Sequence, residues 1–356
     1  MKILQIIHKP QNRGAETFTC QLSSHLIAEG HRVKIVSIYD GNATLPGNFK
    51  IESLGGKLDA KFFDFAAWKK LNKIVLQYKP DMVQVNAGDS LKYTVFSKFV
   101  FRWNRPIVVR NASEVGQYIK SNIQKNINRF FYKNIRHVAS VSEASKKDIK
   151  QLFPFLEDKI SVIPIGLEPI HNIPKIDLGE TRNIVHIGGF TFEKNHTGLI
   201  RIFENVFEKN GNVKLHLVGD GPLRSEIENL VRSKGLEKNV VFHGFVNNPL
   251  SYAASSELLV LPSIIEGLPG VILEAMYCKT PVIAYNVGGV SEVLNESSGY
   301  LITKGNEIDF ANTINEILKC RPISKIEHAY QLVLNSYMNK EITRKFIKVY
   351  KTVVSQ

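Results

Sequence analysis

The sequence predicts an α/β protein with two Rossmann-like domains whose parallel sheets face a central cleft. Strand-like apolar runs alternate with helix-like segments in both halves of the chain. Midway, the helical signals stop at a cluster of prolines, Pro154, Pro164, Pro169 and Pro174, which indicates a linker. The length of 356 residues is sufficient for two hydrophobic cores. We therefore predict domains at 1–168 and 169–338, followed by a C-terminal helix at 339–356.

Seven strands and five helices are predicted for the first domain. The strands are short apolar runs at residues 2–8, 32–39, 50–54, 81–86, 106–110, 137–141 and 160–163. The helices are at 14–30, 63–78, 90–102, 116–133 and 143–152. Gly30 ends the first helix, Pro80 follows the second, and Ser142 is expected to cap the fifth.

The second domain repeats this alternation. Its predicted strands are at 183–188, 213–219, 240–242, 257–262 and 281–285. Its predicted helices are at 198–208, 223–234, 249–254, from 269 onward, and at 340–354 after the domain ends. Residues 257–285 form a strand, loop, helix and strand, which is one unit of a parallel sheet.

Two glutamates in this unit, Glu266 and Glu274, have seven residues between them. Glu266 lies in the loop after the strand, and Pro269 suits the first turn of the helix that carries Glu274. Open α/β sheets bind ligands at the carboxyl ends of their strands, and a free helix N-terminus favours phosphate. With carboxylates that accept hydrogen bonds from sugar hydroxyls, the unit suits a nucleotide-sugar. Either glutamate alone would more often be a solvated surface residue.

The segment resembles the retaining glycosyltransferases of family 4, which have the GT-B fold and a Glu–x7–Glu motif in a Ser–x–x–Glu–Gly setting. The residues that match this pattern are Ser263, Glu266, Gly267, Glu274, Ala275, Met276, Thr280, Pro281, Val282, Gly288 and Gly289. The resemblance implies that Glu274 holds the ribose hydroxyls and that Glu266 contacts the donor sugar. It also implies further donor contacts at Gly267, Leu268, Gly270 and Val271, and a last helix that crosses back to the first domain.

The same resemblance adds two loops to the expected site. Residues 187–195 resemble a loop in which an arginine and a lysine bind the donor diphosphate in place of a metal ion. Lys194 and Asn195 fit that loop, whereas Gly189 stands where the arginine is usual. In the first domain, Arg13 and Gly14 belong to a loop that faces the donor across the cleft, where Arg13 would add a second positive charge.

Three other positions complete the expected site. The resemblance implies that Gly219 and Gly244 end strands beside the nucleotide. A histidine that the family often has near position 111 is absent, which leaves Asn111, Ser113 or Glu114 for polar contacts. Since no Asp–x–Asp pair follows a strand, no metal ion and no cofactor is expected beyond the nucleotide diphosphate-sugar co-substrate.

Almost all of the net charge of +13 lies in the first half. Residues 1–170 hold 26 Lys and Arg against 14 Asp and Glu, whereas the rest holds 20 against 19. Basic and aromatic residues interleave at 90–105 and 117–136, which suits either an anionic membrane surface or helices packed on a sheet. No nucleic-acid reader motif is present. Three scattered cysteines and the lack of a leader or apolar span indicate a cytoplasmic protein. The membrane alternative would make it peripheral on the inner face of the plasma membrane.

The expected activity is transfer of a hexose, with retention at the anomeric carbon, from a nucleotide diphosphate-sugar to a glycan or lipid-linked acceptor. Bacterial surface glycans such as capsule, O-antigen or exopolysaccharide are the expected products. Two alternatives stay open at this point. The fold would also suit a nucleotide-sugar epimerase or a phosphorylase. The missing arginine and histidine would suit a non-catalytic, nucleotide-binding subunit.

Overall fold

The computed structural model describes residues 1–11, 13–60, 63–86, 88–170 and 172–355. The chain divides into two compact units. Unit 1 comprises Met1–Glu168 together with Asn339–Gln356, and unit 2 comprises Pro169–Met338. Each unit has its own parallel sheet with helices packed on it, so the predicted α/β architecture of two Rossmann-like sheets is confirmed.

Unit 1 is built on a seven-stranded parallel sheet in the order β3-β2-β1-β4-β5-β6-β7. Its strands are β1 (Lys2–Ile7), β2 (Arg32–Ser37), β3 (Glu52–Ser53), β4 (Met82–Val85), β5 (Ile107–Asn111), β6 (His137–Ser140) and β7 (Ile160–Val162). Its first five helices are α1 (Gly14–Ala28), α2 (Phe65–Tyr78), α3 (Gly88–Phe101), α4 (Asn122–Lys133) and α5 (Glu143–Leu152). Since connections between parallel strands run over the faces of the sheet, the helices cover both of them.

Capping serines decide where two of these helices begin. Ser142 Oγ accepts the N–H of Ser145 at 3.1 Å, so the predicted cap of α5 is confirmed. The predicted helix 116–133 is confirmed from Asn122 to Lys133, but its predicted start is wrong, because Val115–Tyr118 is a short 3₁₀ turn and α4 starts only at Asn122. Ser121 interrupts it by accepting the N–H of Gln124 on its side-chain oxygen at 3.2 Å.

Unit 2 is built on a six-stranded parallel sheet in the order β10-β9-β8-β11-β12-β13. Its strands are β8 (Arg182–Ile187), β9 (Val213–Val218), β10 (Val240–Gly244), β11 (Leu258–Leu261), β12 (Val282–Tyr285) and β13 (Tyr300–Ile302). Its helices are α6 (His196–Lys209), α7 (Arg224–Ser233), α8 (Pro249–Ser255), α9 (Gly270–Tyr277), α10 (Glu307–Lys319) and α11 (Ile323–Ser336). The sequence analysis did not predict β13, α10 or α11.

The last helix, α12 (Asn339–Ser355), belongs to the core of unit 1. One hydrophobic cluster joins it to α1 and to the strands beneath, and its members include Phe18, Leu22, Met82, Phe346 and Tyr350. The hydroxyl of Tyr350 also donates to the side-chain oxygen of Gln84 on β4. Removing this helix would therefore expose one face of the sheet.

The aromatic residues predicted for a membrane surface divide between the core and the surface. The buried ones are Trp103, Phe131 and Tyr132. Phe96 and Phe101 pack partly against the same core, whereas Phe99 and Phe130 are exposed. The membrane prediction is therefore wrong for the buried rings, which fill the space between helices and sheet. Within the described ranges, no helix is both long and apolar enough to cross a membrane.

Candidate functional site

Two loops at the carboxyl ends of β8 and β11 bring a lysine and a glutamate together in unit 2. Lys194 Nζ donates to Glu266 Oε1 at 2.6 Å. Only 10% of the Glu266 side chain and 23% of the Lys194 side chain are exposed. The N–H of Ile264 donates to the carbonyl of Glu193 at 2.8 Å, which ties the two loops together. The site therefore contains a largely buried ion pair whose members would each be costly to leave alone.

The backbone beneath Lys194 is kept free of side chains. A Cβ on Gly188 would lie 3.4 Å from both Cδ and Cε of Lys194, so the lysine stem rests directly on the main chain. Gly189 differs, because a Cβ there would meet only the Asp220 carbonyl at 3.5 Å, an ordinary contact, and the side chain of Thr191. Space alone therefore does not require glycine where the family usually has an arginine.

Backbone hydrogen bonds join the loops after β8, β9 and β10 beside this pair. Gly188 N–H donates to the Val218 carbonyl at 2.9 Å, and Gly219 N–H donates to the Gly244 carbonyl at 2.8 Å. Gly219 has a φ of +138°, and a Cβ on it would lie 2.1 Å from the Gly188 carbonyl oxygen. Only glycine fits there, because the main chains of the β8 and β9 loops pack directly against each other.

The N-terminus of α9 lies directly after the Glu266 loop. Pro269 is its N-cap residue, one position before the first helical turn in which it was predicted. Within the described chain, the amides of Gly270 and Val271 have no recorded acceptor, as expected for a first turn without a side-chain cap. Leu268 is buried, and the carbonyl of Gly267 accepts the N–H of Gly289 at 2.8 Å, which fixes the loop.

Glu274 lies one turn into α9, as the spacing predicts. The residue is partly exposed, yet protein surrounds its carboxyl group, and this burial raises its pKa. Among the described residues, no hydrogen-bond or ion-pair partner is recorded for the carboxyl group of Glu274. A group that donates hydrogen bonds to this carboxylate would stabilise its ionised form.

Asn195 has a structural use that the sequence analysis did not predict. Its Oδ1 accepts the N–H of Gly198 at 3.2 Å as the N-cap of α6, and its Nδ2 donates to the Pro262 carbonyl at 3.0 Å. The side chain therefore joins the β8 and β11 loops. Its contact with a substrate stays a prediction.

The predicted residues of unit 1 lie at the carboxyl ends of β1 and β5. Arg13 is exposed at the N-cap of α1, and Gly14 follows it with no atom within 4 Å of an added Cβ. Asn111 ends β5 and is buried, with its Nδ2 3.5 Å from Ser140 Oγ. Their contacts with a substrate stay predictions.

Two buried histidines beneath the site were missed. His186 Nδ1 donates to the Val260 carbonyl at 2.9 Å, and the His196 ring stacks on Phe190 with centroids 4.0 Å apart. Burial lowers the pKa of His186 to about 4 and that of His196 to about 2. The sequence offered a weak signal, since His186 lies inside a strand and His196 is the first residue of a helix.

His196→Phe should flatten the pH dependence of stability. In the unfolded chain this histidine binds a proton near pH 6.5, whereas in the folded chain it does so only near pH 2. Stability is therefore lost as pH falls below 6.5, by about 2 kcal/mol between pH 6.5 and 5. Phenylalanine removes this loss and also two buried nitrogens that have no recorded hydrogen bond. Urea unfolding at pH 5 and pH 7 measures how the free energy of unfolding changes with pH, and His328→Gln, at an exposed histidine, is the control. An equal change in both variants would contradict the prediction.

Comparison with known proteins identifies both units. Residues 171–333 match the family model described as glycosyl transferases group 1, and residues 12–169 match glycosyltransferase family 4. The chain is a GT-B glycosyltransferase of the family 4/group 1 type. Its fold resembles the crystal structure of Anabaena HepE in complex with UDP-glucose, with a TM-score of 0.83, 20% identity and 100% of each chain covered. At that identity the likeness to HepE concerns the fold alone.

Curated relatives of this glycosyltransferase include two bacterial enzymes. The poly(ribitol-phosphate) alpha-N-acetylglucosaminyltransferase of Staphylococcus aureus is 30% identical over 253 residues, which cover 68% of this chain and 48% of the relative. A Campylobacter jejuni N-acetyl-D-galactosaminyltransferase, whose name specifies an undecaprenol diphosphate-linked trisaccharide, is 26% identical over 337 residues, 89% of each chain. The chain spans about half to three-fifths of the length of several curated relatives that it matches.

Proposed function

We propose that this glycosyltransferase moves a hexose from a nucleotide diphosphate-sugar to an acceptor hydroxyl, with retention at the anomeric carbon. The observation that carries the proposal is the Lys194–Glu266 ion pair, 2.6 Å long, in the loops that lead to the N-terminus of α9. A half-buried cation and free helix amides suit a diphosphate, and a largely buried carboxylate suits sugar hydroxyls. Together they match the two halves of a nucleotide-sugar.

Lys194 has the electrostatic role in this proposal. As the bond between the sugar and the diphosphate breaks, negative charge grows on the departing phosphate. A fixed ammonium group and the amides of Gly270 and Val271 stabilise that charge more in the transition state than in the bound donor. Because position 189 is a glycine, Lys194 supplies the positive side-chain charge of this loop.

The two glutamates have separate roles. Glu266 keeps the Lys194 ammonium in place and accepts hydrogen bonds from the donor sugar, next to the reacting carbon. Glu274 accepts the ribose hydroxyls of the nucleotide. Burial raises the pKa of Glu274, and donated hydrogen bonds from a ribose would offset that cost by favouring the ionised form.

The acceptor is proposed to be a glycan or lipid-linked precursor of a bacterial surface polymer. The names of the two relatives support this class, since one specifies a ribitol-phosphate polymer and the other an undecaprenol-linked saccharide. The proposed donor is a nucleotide diphosphate-sugar, and HepE in complex with UDP-glucose makes uridine nucleotides the first to test.

A panel of nucleotide-sugars tests the donor half of the proposal. A donor at a hundred times its dissociation constant should stabilise the folded protein by about 2.7 kcal/mol, visible as a thermal shift. The donor that binds is then incubated with and without candidate acceptors while nucleotide release and product anomers are followed. An epimerase would interconvert the donor without nucleotide release. A shift without any turnover would favour a binding subunit, and no shift with any donor would contradict the proposal.

We also propose that unit 1 contacts an anionic bilayer through an aromatic surface formed by Phe63, Phe65, Phe99 and Phe130. The first three are 57–66% exposed. Ring contacts make the surface continuous, with Phe99 5.8 Å from Phe130 and Phe63 and Phe65 5.5–5.6 Å from the half-buried Phe96 and Phe101. The basic excess of this half of the chain suits anionic headgroups.

The double variant Phe99→Ser with Phe130→Ser should weaken binding to phosphatidylglycerol vesicles at least tenfold. Each ring that inserts contributes on the order of 1 kcal/mol through its buried apolar area. Vesicle co-sedimentation measures the effect. Ile308→Ser with Ile323→Ser removes exposed apolar groups from unit 2 and is the control. If both double variants bind as tightly as the unchanged protein, the aromatic surface does not contact the bilayer.

A further inference from the structure

A cavity of about 580 Å³ lies in unit 1 at the amino ends of β4, β5, β6 and β7. The end of α12 lines one side of it through Val353 and Val354. Its basic lining residues are Lys98, Arg105, Lys133, Arg136 and Lys159. Of the described residues that line it, Asp81 alone is acidic.

This cavity is separate from the predicted ligand-binding edge of the same unit. Asn111 marks the carboxyl end of β5, whereas Pro106 at the cavity precedes its amino end. Four residue steps along the strand separate those ends by roughly 13 Å. The proposed sugar transfer gives the basic cluster no role.

The positive charges in the cavity lack ion-pair partners, although Lys98 Nζ lies 5.9 Å from the centroid of the Trp103 ring. In the described part of the chain, none of the five basic side chains has a recorded ion pair. Asp81 already accepts the N–H of Lys2 at 2.7 Å, and Lys98 Nζ donates only to the Arg105 carbonyl at 3.1 Å. Burial lowers the pKa of Lys98, and the charge of Arg136 lowers it further.

Helix ends explain part of this cluster but not all of it. Lysines near a helix C-terminus compensate its partial negative charge, and α3, α4 and α12 all end here. Three helix ends together provide roughly 1.5 negative charges, and Asp81 provides about one more. Against five cations this leaves an excess of about 2.5 positive charges, more than helix capping accounts for.

We propose that this cavity binds a phosphate-bearing ligand, as a phosphomonoester or a diphosphate group. The planar forks of Arg105 and Arg136 suit paired hydrogen bonds to phosphate oxygens. Lys98 and Lys159 add point charges, and the asparagines Asn104 and Asn134 line the same space. The phosphate belongs either to a soluble metabolite or to the headgroup of a lipid, and the two sources share this chemistry.

The test compares two double variants of the full chain. Arg136→Gln with Lys159→Gln removes two exposed cavity charges that have no recorded ion pair, so the fold should persist. Lys147→Gln with Lys345→Gln removes the same charge from exposed positions elsewhere on unit 1 and is the matched control. The probes are inorganic pyrophosphate for a soluble source, and vesicles of phosphatidylglycerol or phosphatidylcholine for a lipid source. Hydrogen exchange at residues 102–106 and 133–136 gives a readout local to the cavity.

The unchanged protein and the control variant should show slower exchange in these segments on adding pyrophosphate or phosphatidylglycerol vesicles. The cavity variant should bind the same probe at least tenfold more weakly. Protection by pyrophosphate assigns a soluble source, and protection by phosphatidylglycerol vesicles alone assigns a lipid headgroup. Protection by neither probe overturns the proposal. The proposal is also overturned if the cavity variant keeps this protection, or if the cavity variant and the control variant lose it equally.

Discussion

Lys194→Met is expected to lower kcat/KM by about 100- to 1,000-fold, mostly through kcat. The substitution keeps the stem that lies along Gly188. It removes the charge that we propose faces the departing diphosphate. A single preorganised electrostatic group of this kind typically contributes about 3 kcal/mol to the transition state. Because that interaction grows as the bond breaks, it should appear in kcat more than in KM. Steady-state kinetics with the donor found in the nucleotide panel measures both.

Two further variants show whether a loss of activity in Lys194→Met reflects a catalytic or a structural role of the ion pair. Lys304→Met removes an exposed lysine of unit 2 and should leave kcat/KM unchanged. Glu266→Gln keeps an oxygen that accepts from Lys194 Nζ but removes the carboxylate, and it should also impair turnover. Because Lys194→Met leaves Glu266 largely buried without its cation, urea unfolding of each variant separates lost stability from lost catalysis. Near-normal kinetics in Lys194→Met would show that the ion pair is structural.

Gly219→Ala is expected to destabilise unit 2 by about 3 kcal/mol or more. The new Cβ would lie 2.1 Å from the Gly188 carbonyl oxygen, in a backbone conformation at φ +138° that favours glycine. Both the steric overlap and the strained conformation cost energy, and the loops after β8 and β9 would have to separate. A loss of this size lowers Tm by about 6–12 °C for a unit of this length. Scanning calorimetry measures it.

Gly211→Ala is the matched control, because an added Cβ there meets no atom within 4 Å and the φ is not in the left-handed region. It should be neutral or slightly stabilising. Since Gly219 packs against Gly188, on which the Lys194 stem lies, donor binding should also weaken in Gly219→Ala below its Tm. Equal Tm values for the two variants would show that the β8 and β9 loops adapt to a side chain.

The sequence predicted most strands because buried parallel strands are short, apolar and bounded by turn residues. It failed where two local preferences competed or where the pattern was too short. Residues 116–133 have helical spacing throughout, yet the hydroxyl of Ser121 restarts the helix there. β13 has only three residues, Tyr300–Ile302, and depends on pairing with β12. Such an edge strand has little local signal of its own.

The candidate site was predictable as residue types but not as contacts. The spacing of Glu266 and Glu274 places both at one strand end, and the resemblance added Lys194. Their arrangement depends on two loops that lie 72 positions apart in the chain, so no local pattern shows that Lys194 and Glu266 form an ion pair. The cavity of unit 1 was missed for the same reason, since its basic residues come from separate connections between strands.

The return of α12 to unit 1 affects the order in which the protein folds during translation. A ribosome completes all of 169–338 before it adds Phe346 and Tyr350, which cover Met82 and the neighbouring strands. At typical synthesis rates this delay lasts roughly 10–30 s. The half of the molecule that is synthesised first is thus the last to complete its hydrophobic core. In the interval its uncovered apolar face is a target for chaperones.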